Sequence, residues 1–362
     1  MPNNKSKEIN GTAAINDALI LAGKKNKNVI YFGEGIDDPS SFYGTTKNLF
    51  KNFGKSRVIE MPLSENGIIG IAIGASMRGK IPIINLHRVE FALLAIEQIF
   101  NNAAKLHFIS NGSHNVPIVI RLVIGRGWGQ GPEHSQSLEN IFSSIPGLKV
   151  LIPSFANDFK GMLLSAIEDK NPTIIIEHRW CHYTYSNVPR NYYKMQIDSP
   201  EVVKKGNDFT VVASSYHIYE AILANEILSQ INVNIEVIDL RVTRPLNTNK
   251  IYRSLKKTGH LLIVDLGFVL YGIGSEIISQ IVEKNKNILK SNPIRLGMPN
   301  YPTPSSRGYL NGHYPDAKKI IFNIMKILNI SEHKQKKVQK ILNEKLKGKK
   351  IDVPNDIFRG PF

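Results

Sequence analysis

Two hydrophobic rhythms alternate along residues 11–186. Stretches such as TAAINDALILAGKKN space their apolar residues three and four apart, the signature of one helix face. Segments such as NVIYFGEG and VPIVIRLV are short continuous apolar runs rich in β-branched residues, as in strands covered on both sides. The pattern predicts, in order, that first helix and strand, a helix around GTTKNLFKNFG, and the strand RVIEMP. A helix from Asn66 to about Met77, the strand IPIINL and one long helix from Phe91 to about Ser110 come next. The strand VPIVIRLV, a helical SLENIFSSIPG, the strand KVLIPS, the helix FKGMLLSAIED and the strand NPTIIIEH complete the series.

A polar stretch rich in Tyr, Asn and Pro then interrupts the rhythm, and a second unit begins. Its strands are FTVVASS, NIEVIDLR, HLLIVDLG and NPIRLGMP. Its helices are HIYEAILANEILSQI, IYRSLKKTG, IGSEIISQIVEKN and, after the loop YPTPSSRGYLNGHYP, DAKKIIFNIMKIL. Such alternation implies mostly parallel sheets with helices on both faces. The expected class is α/β, with two doubly wound domains over 1–190 and 209–329, a linker at 191–208 and a tail at 330–362. Val338, Ile341, Leu342 and Lys345 give part of the tail an amphipathic helical spacing, and the closing DVPNDIFRGPF, with Pro354 and Pro361, is expected to be non-helical.

Composition changes this picture little. No uninterrupted apolar run of ~18 residues appears, so no membrane span is expected. The polar start MPNNKSKEINGTAAIND lacks a secretory core, and the single Cys181 excludes an internal disulfide, which fits a cytoplasmic protein. The net charge of +16 is partly local: residues 331–350 hold eight Lys against two Glu. With no zinc-finger spacing and no basic strand interleaved with aromatics, the charge reads as a solvated lysine face, and no nucleic-acid partner is expected.

Candidate chemistry sits where such sheets collect it, beyond the carboxyl ends of strands and the amino ends of helices. The stretch VIEMPLSENGIIGIAIGASM is mostly apolar or glycine, yet Glu65 stands at its entrance, after Leu63 and Ser64. With Ser64 as the expected N-cap, Glu65 either complements the helix dipole or carries chemistry. His87, Arg88 and Glu90 end the strand IPIINL, and Phe91, either core or ligand contact, opens the next helix. In LVIGRGWGQGPEHSQS, glycines at 125, 127, 129 and 131 alternate around Arg126, a form that lets a ligand approach the backbone. It is not a Walker loop, because no Lys-Ser/Thr follows. His134, ahead of a helix, is an acid/base candidate. The YGIGSE segment at 271–276 either cradles phosphate or makes a close helix–strand turn. Metal-ligand spacings, a G-x-S-x-G elbow and the glycine–aspartate–glycine run followed by asparagine that holds a magnesium diphosphate are all absent from the sequence.

Taken together, GTTKNLFKNFG, RVIEMPLSENGIIGIAIGASMRGKIPI, AIEQIFNNAAKL, VPIVIR, EHSQSLENIFSSIPGLKVLIPS and AIEDKNPTIIIEH resemble the beta subunit of the decarboxylating component of 2-oxoacid dehydrogenases. That family is transketolase-like and depends on thiamine diphosphate. The resemblance runs from about residue 11 to 328. It implies a pyrimidine-binding domain followed by a transketolase C-terminal domain. It also implies that Glu65 shares a proton with the cofactor's aminopyrimidine, as a carboxyl in an apolar pocket can, so that a thiazolium ylide forms. Leu63, Glu65 and Phe91 are the implied cofactor contacts, and Glu65 and His134 the implied catalytic residues. Ile118, Ala166, Asp169 and Asn171 are the implied holders of a structural potassium.

The missing diphosphate motif then implies that an alpha subunit supplies magnesium and diphosphate in an α2β2 assembly, with a lipoyl carrier or acyltransferase as acceptor of the acyl group from a small-molecule substrate. Two segments depart from the family: LVIGRGWGQG replaces a glycine–proline loop, and His87 and Arg88 precede Phe91. These changes make His87, Arg88 and Arg126 candidate substrate contacts. With its IEHRW segment and GPF end, the pattern also looks similar to beta-like proteins of bacterial surface-sugar biosynthesis, and that resemblance raises as an alternative a transketolase-like transfer of a carbon unit on a sugar in surface-polysaccharide biosynthesis. A third reading is a non-catalytic paralogue.

Overall fold

Fourteen strands form among residues 6–38, 42–127 and 129–353, which the computed structural model describes. In chain order they are β1 (Ser6–Asn10), β2 (Val29–Gly33), β3 (Val58–Glu60), β4 (Ile81–Leu86), β5 (Val119–Ile124), β6 (Lys149–Leu151), β7 (Thr173–His178), β8 (Tyr185–Pro189), β9 (Glu201–Lys204), β10 (Phe209–Ala213), β11 (Ile235–Asp239), β12 (Val242–Arg244), β13 (Leu261–Phe268) and β14 (Ile294–Met298). A seven-stranded sheet runs β12-β6-β7-β5-β4-β2-β3 and a five-stranded one β14-β13-β10-β11-β9. Apart from the edge strands β12 and β9, neighbours in both sheets are parallel. This is the doubly wound arrangement that the hydrophobic pattern implies.

The centre of the first sheet is dry. Every residue of β5 and β7 is buried, including Arg121 and Glu177. Arg121 donates to both Glu177 oxygens, at 2.6 and 2.8 Å, and His182 Nε2 lies 3.0 Å from the same carboxylate. Burial alone would push the Glu177 carboxyl up, but the guanidinium beside it holds it at about 2. A bidentate pair of this kind is the form in which a charge is tolerated in a sheet interior.

Several elements depart from the hydrophobic pattern. The polar segments at the start of the chain and after Thr184 pair with each other as the antiparallel ribbon β1–β8, and β9 forms inside the stretch read as linker. Strand order in these pieces comes from partners distant in sequence, which periodicity cannot register. The run from Phe91 is not one α-helix. It opens as a 3-10 turn (Phe91–Ala95), widens to a π turn (Gln98–Ala103) and closes as a single α turn (Leu106–Ile109). The helix around GTTKNLFKNFG shortens to Leu49–Phe53, because Tyr43 and Asn48 adopt left-handed backbone angles. In the tail, helix Glu332–Lys345 buries Val338 and Leu342 in the core shared with helix Tyr216–Ser229 and leaves its lysines in solvent. The rest of the predicted non-helical end, from residue 354 on, lies outside the described residues.

The two sheets are stitched together. β12, which follows the second unit's β11, pairs with β6 of the first sheet, and the Arg241 carbonyl accepts the Ile152 N–H at 2.8 Å. Glu139 accepts the Gly267 N–H at 3.0 Å, and the Ser143 and Thr243 hydroxyls meet at 2.6 Å. Beside Glu139, Asp265 accepts the Gly274 N–H at 2.7 Å. A Cβ at Gly272 would fall 2.6 Å from the Asp265 carboxyl carbon, and one at Gly274 2.8 Å from its oxygen. The glycines of YGIGSE therefore make room for a buried carboxyl at a tight helix–strand turn.

Burial pushes the Asp265 carboxyl up to about 7; the Gly274 N–H and Arg295 oppose the shift, and Glu139 adds to it. An unfolded aspartate ionises near ~3.9. Between these values the folded chain keeps a proton that the unfolded chain has lost, so stability falls as pH rises from about 4 through 7. Asp265→Asn removes part of this slope and stabilises the chain above neutral pH, which urea midpoints across a pH series will show.

Candidate active site

Loops after β2, β3, β4 and β5 meet at one edge of the seven-stranded sheet, and carboxylates crowd there. Glu65 is the first residue of helix Glu65–Met77, with its side chain buried to 7% exposure. Ser64 caps the helix without a side-chain hydrogen bond, so the amino end relies on other groups. Glu60, from the end of β3, accepts the Gly35 and Ile36 N–H groups at 2.7 and 2.8 Å. Glu34 Oε1 is buried with no hydrogen-bond partner, and its carboxyl is raised by burial first and then by the nearby charges of Glu65 and Glu60. His87 Nε2 lies 2.5 Å from the Glu34 carbonyl, which accepts its hydrogen bond, and burial pushes this imidazole below its ordinary value.

A second group adjoins the first. Arg88 Nε donates to Glu90 Oε1 at 2.9 Å, and the same oxygen lies 2.5 Å from His134 Nδ1. Arg88 Nη2 also donates to Gln130 Oε1 at 2.8 Å and to the His134 carbonyl. The Phe91 ring sits 6.0 Å from the His134 imidazole and is 36% exposed, while Leu63 is 83% exposed. Leu63 and Phe91 are thus exposed apolar side chains on the loops of the same sheet edge as the buried Glu65.

His134 closes a single turn, Gly131–His134, and does not open the next helix, Glu139–Ser143. The glycines before it have a backbone cause, since Gly127, Gly129 and Gly131 take φ of 101°, 70° and 69°, which side-chain-bearing residues rarely adopt. Arg126 faces away from this cluster, toward the second domain and the tail. Its guanidinium lies 3.9 Å from the Tyr314 ring centroid and 4.7 Å from that of Trp180, and Asp352 Oδ1 is 3.7 Å from its Nε. The tail thus reaches the glycine-rich loop.

The four candidate potassium holders do lie together. The Ile118 carbonyl accepts the Thr173 N–H at 2.9 Å and the Ala166 carbonyl the Asp169 N–H at 3.2 Å. Asp169 takes the Asn171 side-chain N–H at 2.7 Å, but its other oxygen is paired with the Lys149 ammonium. That ammonium already neutralises the carboxylate, so the residues present do not fit a potassium ion seated on Asp169. Among the described residues no group of three or more His, Cys, Asp or Glu could hold a metal ion.

The beta subunit of acetoin:2,6-dichlorophenolindophenol oxidoreductase from Bacillus subtilis is 33% identical over 327 residues, 87% of this chain and 96% of that protein. The pyruvate dehydrogenase E1 component subunit beta of Mesostigma viride is 37% identical over 293 residues, 81% of this chain and 90% of its own. This chain belongs to the transketolase-like family of 2-oxoacid dehydrogenase beta subunits. The family models agree: the transketolase pyrimidine-binding domain matches residues 7–181 and the transketolase C-terminal domain residues 199–320. Among solved structures, a split-gene transketolase in an inactive beta4 tetramer aligns with TM-score 0.70 at 20% identity, covering 91% of this chain and 99% of that one. Campylobacter jejuni transketolase aligns with TM-score 0.64 at 13% identity, covering 90% of this chain and 48% of its own. These structural matches show the fold.

In this family frame, the sheet edge brings together Leu63, Glu65, His87, Arg88, Phe91 and His134, and leaves Arg126 on the domain joint. Of the carboxylates at this edge, Glu90 stands among the strand-end candidates read from the sequence but without a role, whereas Glu34 and Glu60 are additions of the structure. The available signal was a charge at each strand end, of which Glu90, two residues after Arg88 and one before Phe91, was the clearest. For the Lys149–Asp169 pair, exchange of potassium for sodium leaves the melting temperature unchanged. Lys149→Met lowers stability in both salts by up to about 1 kcal/mol, as expected for a partly exposed pair; thermal unfolding in each salt checks both.

Proposed function

We propose that this chain is the beta subunit of a thiamine-diphosphate-dependent, 2-oxoacid dehydrogenase-type decarboxylase, and that it shares the cofactor with an alpha subunit in an α2β2 assembly. The observation that carries this reading is Glu65, a buried carboxyl at the amino end of a helix, two residues after the exposed Leu63, on the sheet edge where the Phe91 ring meets His134. When bound, thiamine diphosphate supplies a carbon nucleophile and an electron sink for the substrate carbonyl.

The chain's own residues account for the rest. With the cofactor bound, Glu65 would share a proton with the ring nitrogen of the aminopyrimidine, Leu63 and Phe91 would supply apolar contact to the ring, and His134 would face the substrate and acyl acceptor. Magnesium and diphosphate are assigned to the alpha partner, because no metal-holding cluster exists among the described residues and the sequence carries no diphosphate motif. A lipoyl group on a carrier is the proposed acceptor.

The sugar-transfer reading drew on three cationic side chains. Here Arg88 is committed to Glu90, Gln130 and the His134 carbonyl, His87 to the Glu34 carbonyl, and Arg126 to an aromatic cage and Asp352. These contacts bear equally on a sugar phosphate and on a 2-oxoacid carboxylate, and it is the similarity to pyruvate dehydrogenase E1 beta subunits that favours the 2-oxoacid.

Calorimetry tests the proposal. Thiamine diphosphate with magnesium is expected to bind the co-expressed alpha–beta complex and not this chain alone, and Phe91→Ala weakens binding about 10-fold, through loss of one aromatic contact. In the same complex, pyruvate and branched-chain 2-oxoacids reduce dichlorophenolindophenol, while ketose phosphates do not. Binding by the isolated chain, or turnover of ketose phosphates only, contradicts the reading.

A further inference from the structure

The cluster Arg88–Glu90–His134 holds one histidine at two points. Arg88 Nη2 donates to the backbone carbonyl of His134, and Glu90 Oε1 faces its Nδ1 at 2.5 Å. The glycine-rich loop that carries His134 has little rigidity of its own, because its residues are free to adopt many backbone angles. The grip comes instead from the end of β4, a buried strand of the central sheet. Glu90 is itself fixed, with its side chain only 6% exposed and its Oε1 taking the Arg88 Nε–H at 2.9 Å. Its partner imidazole is 39% exposed and so opens toward solvent at the sheet edge.

We infer that Glu90 is a positioning residue for His134, pinning the imidazole proton on Nδ1 and leaving Nε2 as the free nitrogen that meets the substrate or acyl acceptor. Which ring nitrogen of a histidine carries the proton is set by the hydrogen bond the other makes. A carboxylate can only accept, so the proton between Glu90 and His134 belongs to Nδ1. The neutral ring then presents an unprotonated Nε2, a base; after it takes a proton, the adjacent carboxylate stabilises the imidazolium, and Nε2–H becomes a donor to an anionic substrate or a departing oxygen. The carboxylate–imidazole arrangement orients the general base of the serine proteases in the same way. Arg88, on this account, is not a substrate contact but the group that keeps Glu90 in place.

The inference rests on the proposed role of His134, but its test does not require catalysis. The full chain is labelled with ¹⁵N-histidine, and long-range proton–nitrogen spectra are recorded about two pH units above the ordinary histidine value of ~6.5, with His134→Gln identifying the resonance. The wild-type ring is expected to show the proton on Nδ1. Glu90→Gln keeps it there, because the amide oxygen still accepts, whereas Glu90→Ala releases it and the Nδ1–H signature is lost. Circular dichroism establishes that each variant is folded, and Arg88→Gln provides a second route, in which a loosened Glu90 broadens or mixes the two tautomers. A wild-type proton on Nε2, or a His134 signature unchanged in Glu90→Ala, overturns the inference. Failure of the cofactor reading leaves these spectra as they are and shows only as absent thiamine diphosphate binding, so the two failures are separable.

Discussion

The constraint on which this structure turns is the crowding of carboxylates at one edge of a parallel sheet. The strands β2, β3 and β4 all deliver their carboxyl ends to the same place, and with them Glu34, Glu60, Glu65 and Glu90. Like charges at such range cost free energy unless each finds a donor, a cation or a proton. Glu60 takes two backbone N–H groups, and Glu90 takes a guanidinium and an imidazole. Glu34 answers by a raised carboxyl. Glu65, on the first turn of its helix, benefits from the helix dipole. The edge is therefore an acidic cluster with a graded set of partners.

Much of this was legible in the residues. Continuous β-branched runs located the buried strands, 3.6-residue spacing located the helices, and the strand-then-helix order forced a parallel sheet. The position of Glu65 at the mouth of an apolar helix was visible from composition alone. What escaped was whatever depends on partners far away in sequence. The ribbon β1–β8 and the crossing strand β12 have no periodic signal of their own; tertiary pairing makes them strands. The break of the Phe91 run into 3-10, π and α turns was hidden because its apolar spacing still fits a helix. Arg88 and Arg126 looked like substrate contacts because charges near a sheet edge usually face solvent. Distance, not residue type, shows Arg88 paired to Glu90 and Arg126 enclosed by Trp180 and Tyr314.

The joint between the two domains has its own logic. Glu139 and Asp265 meet across it, both shifted up chiefly by burial and each accepting a backbone N–H, and the buried Arg241 faces Asp158 across the same joint at 3.4 Å. The basic tail, without a role in the sequence reading, packs Val338 and Leu342 onto the second domain and brings Asp352 to Arg126. Through Arg126 the tail contacts the same glycine-rich loop whose far end carries His134. The loop is thus held at both ends, by the tail at one and by Glu90, in the turn after β4, at the other.

The claim at the centre of this account is that Glu65 activates the cofactor. It is tested most directly by exchange of the thiazolium hydrogen of bound thiamine diphosphate for deuterium in the alpha–beta complex, read by quenched-flow NMR without any substrate. Glu65→Gln is expected to slow this exchange by about 100-fold or more, the usual contribution of one positioned proton-transfer group, while the cofactor remains bound. An exchange rate equal to that of the wild type, at equal occupancy, contradicts the account.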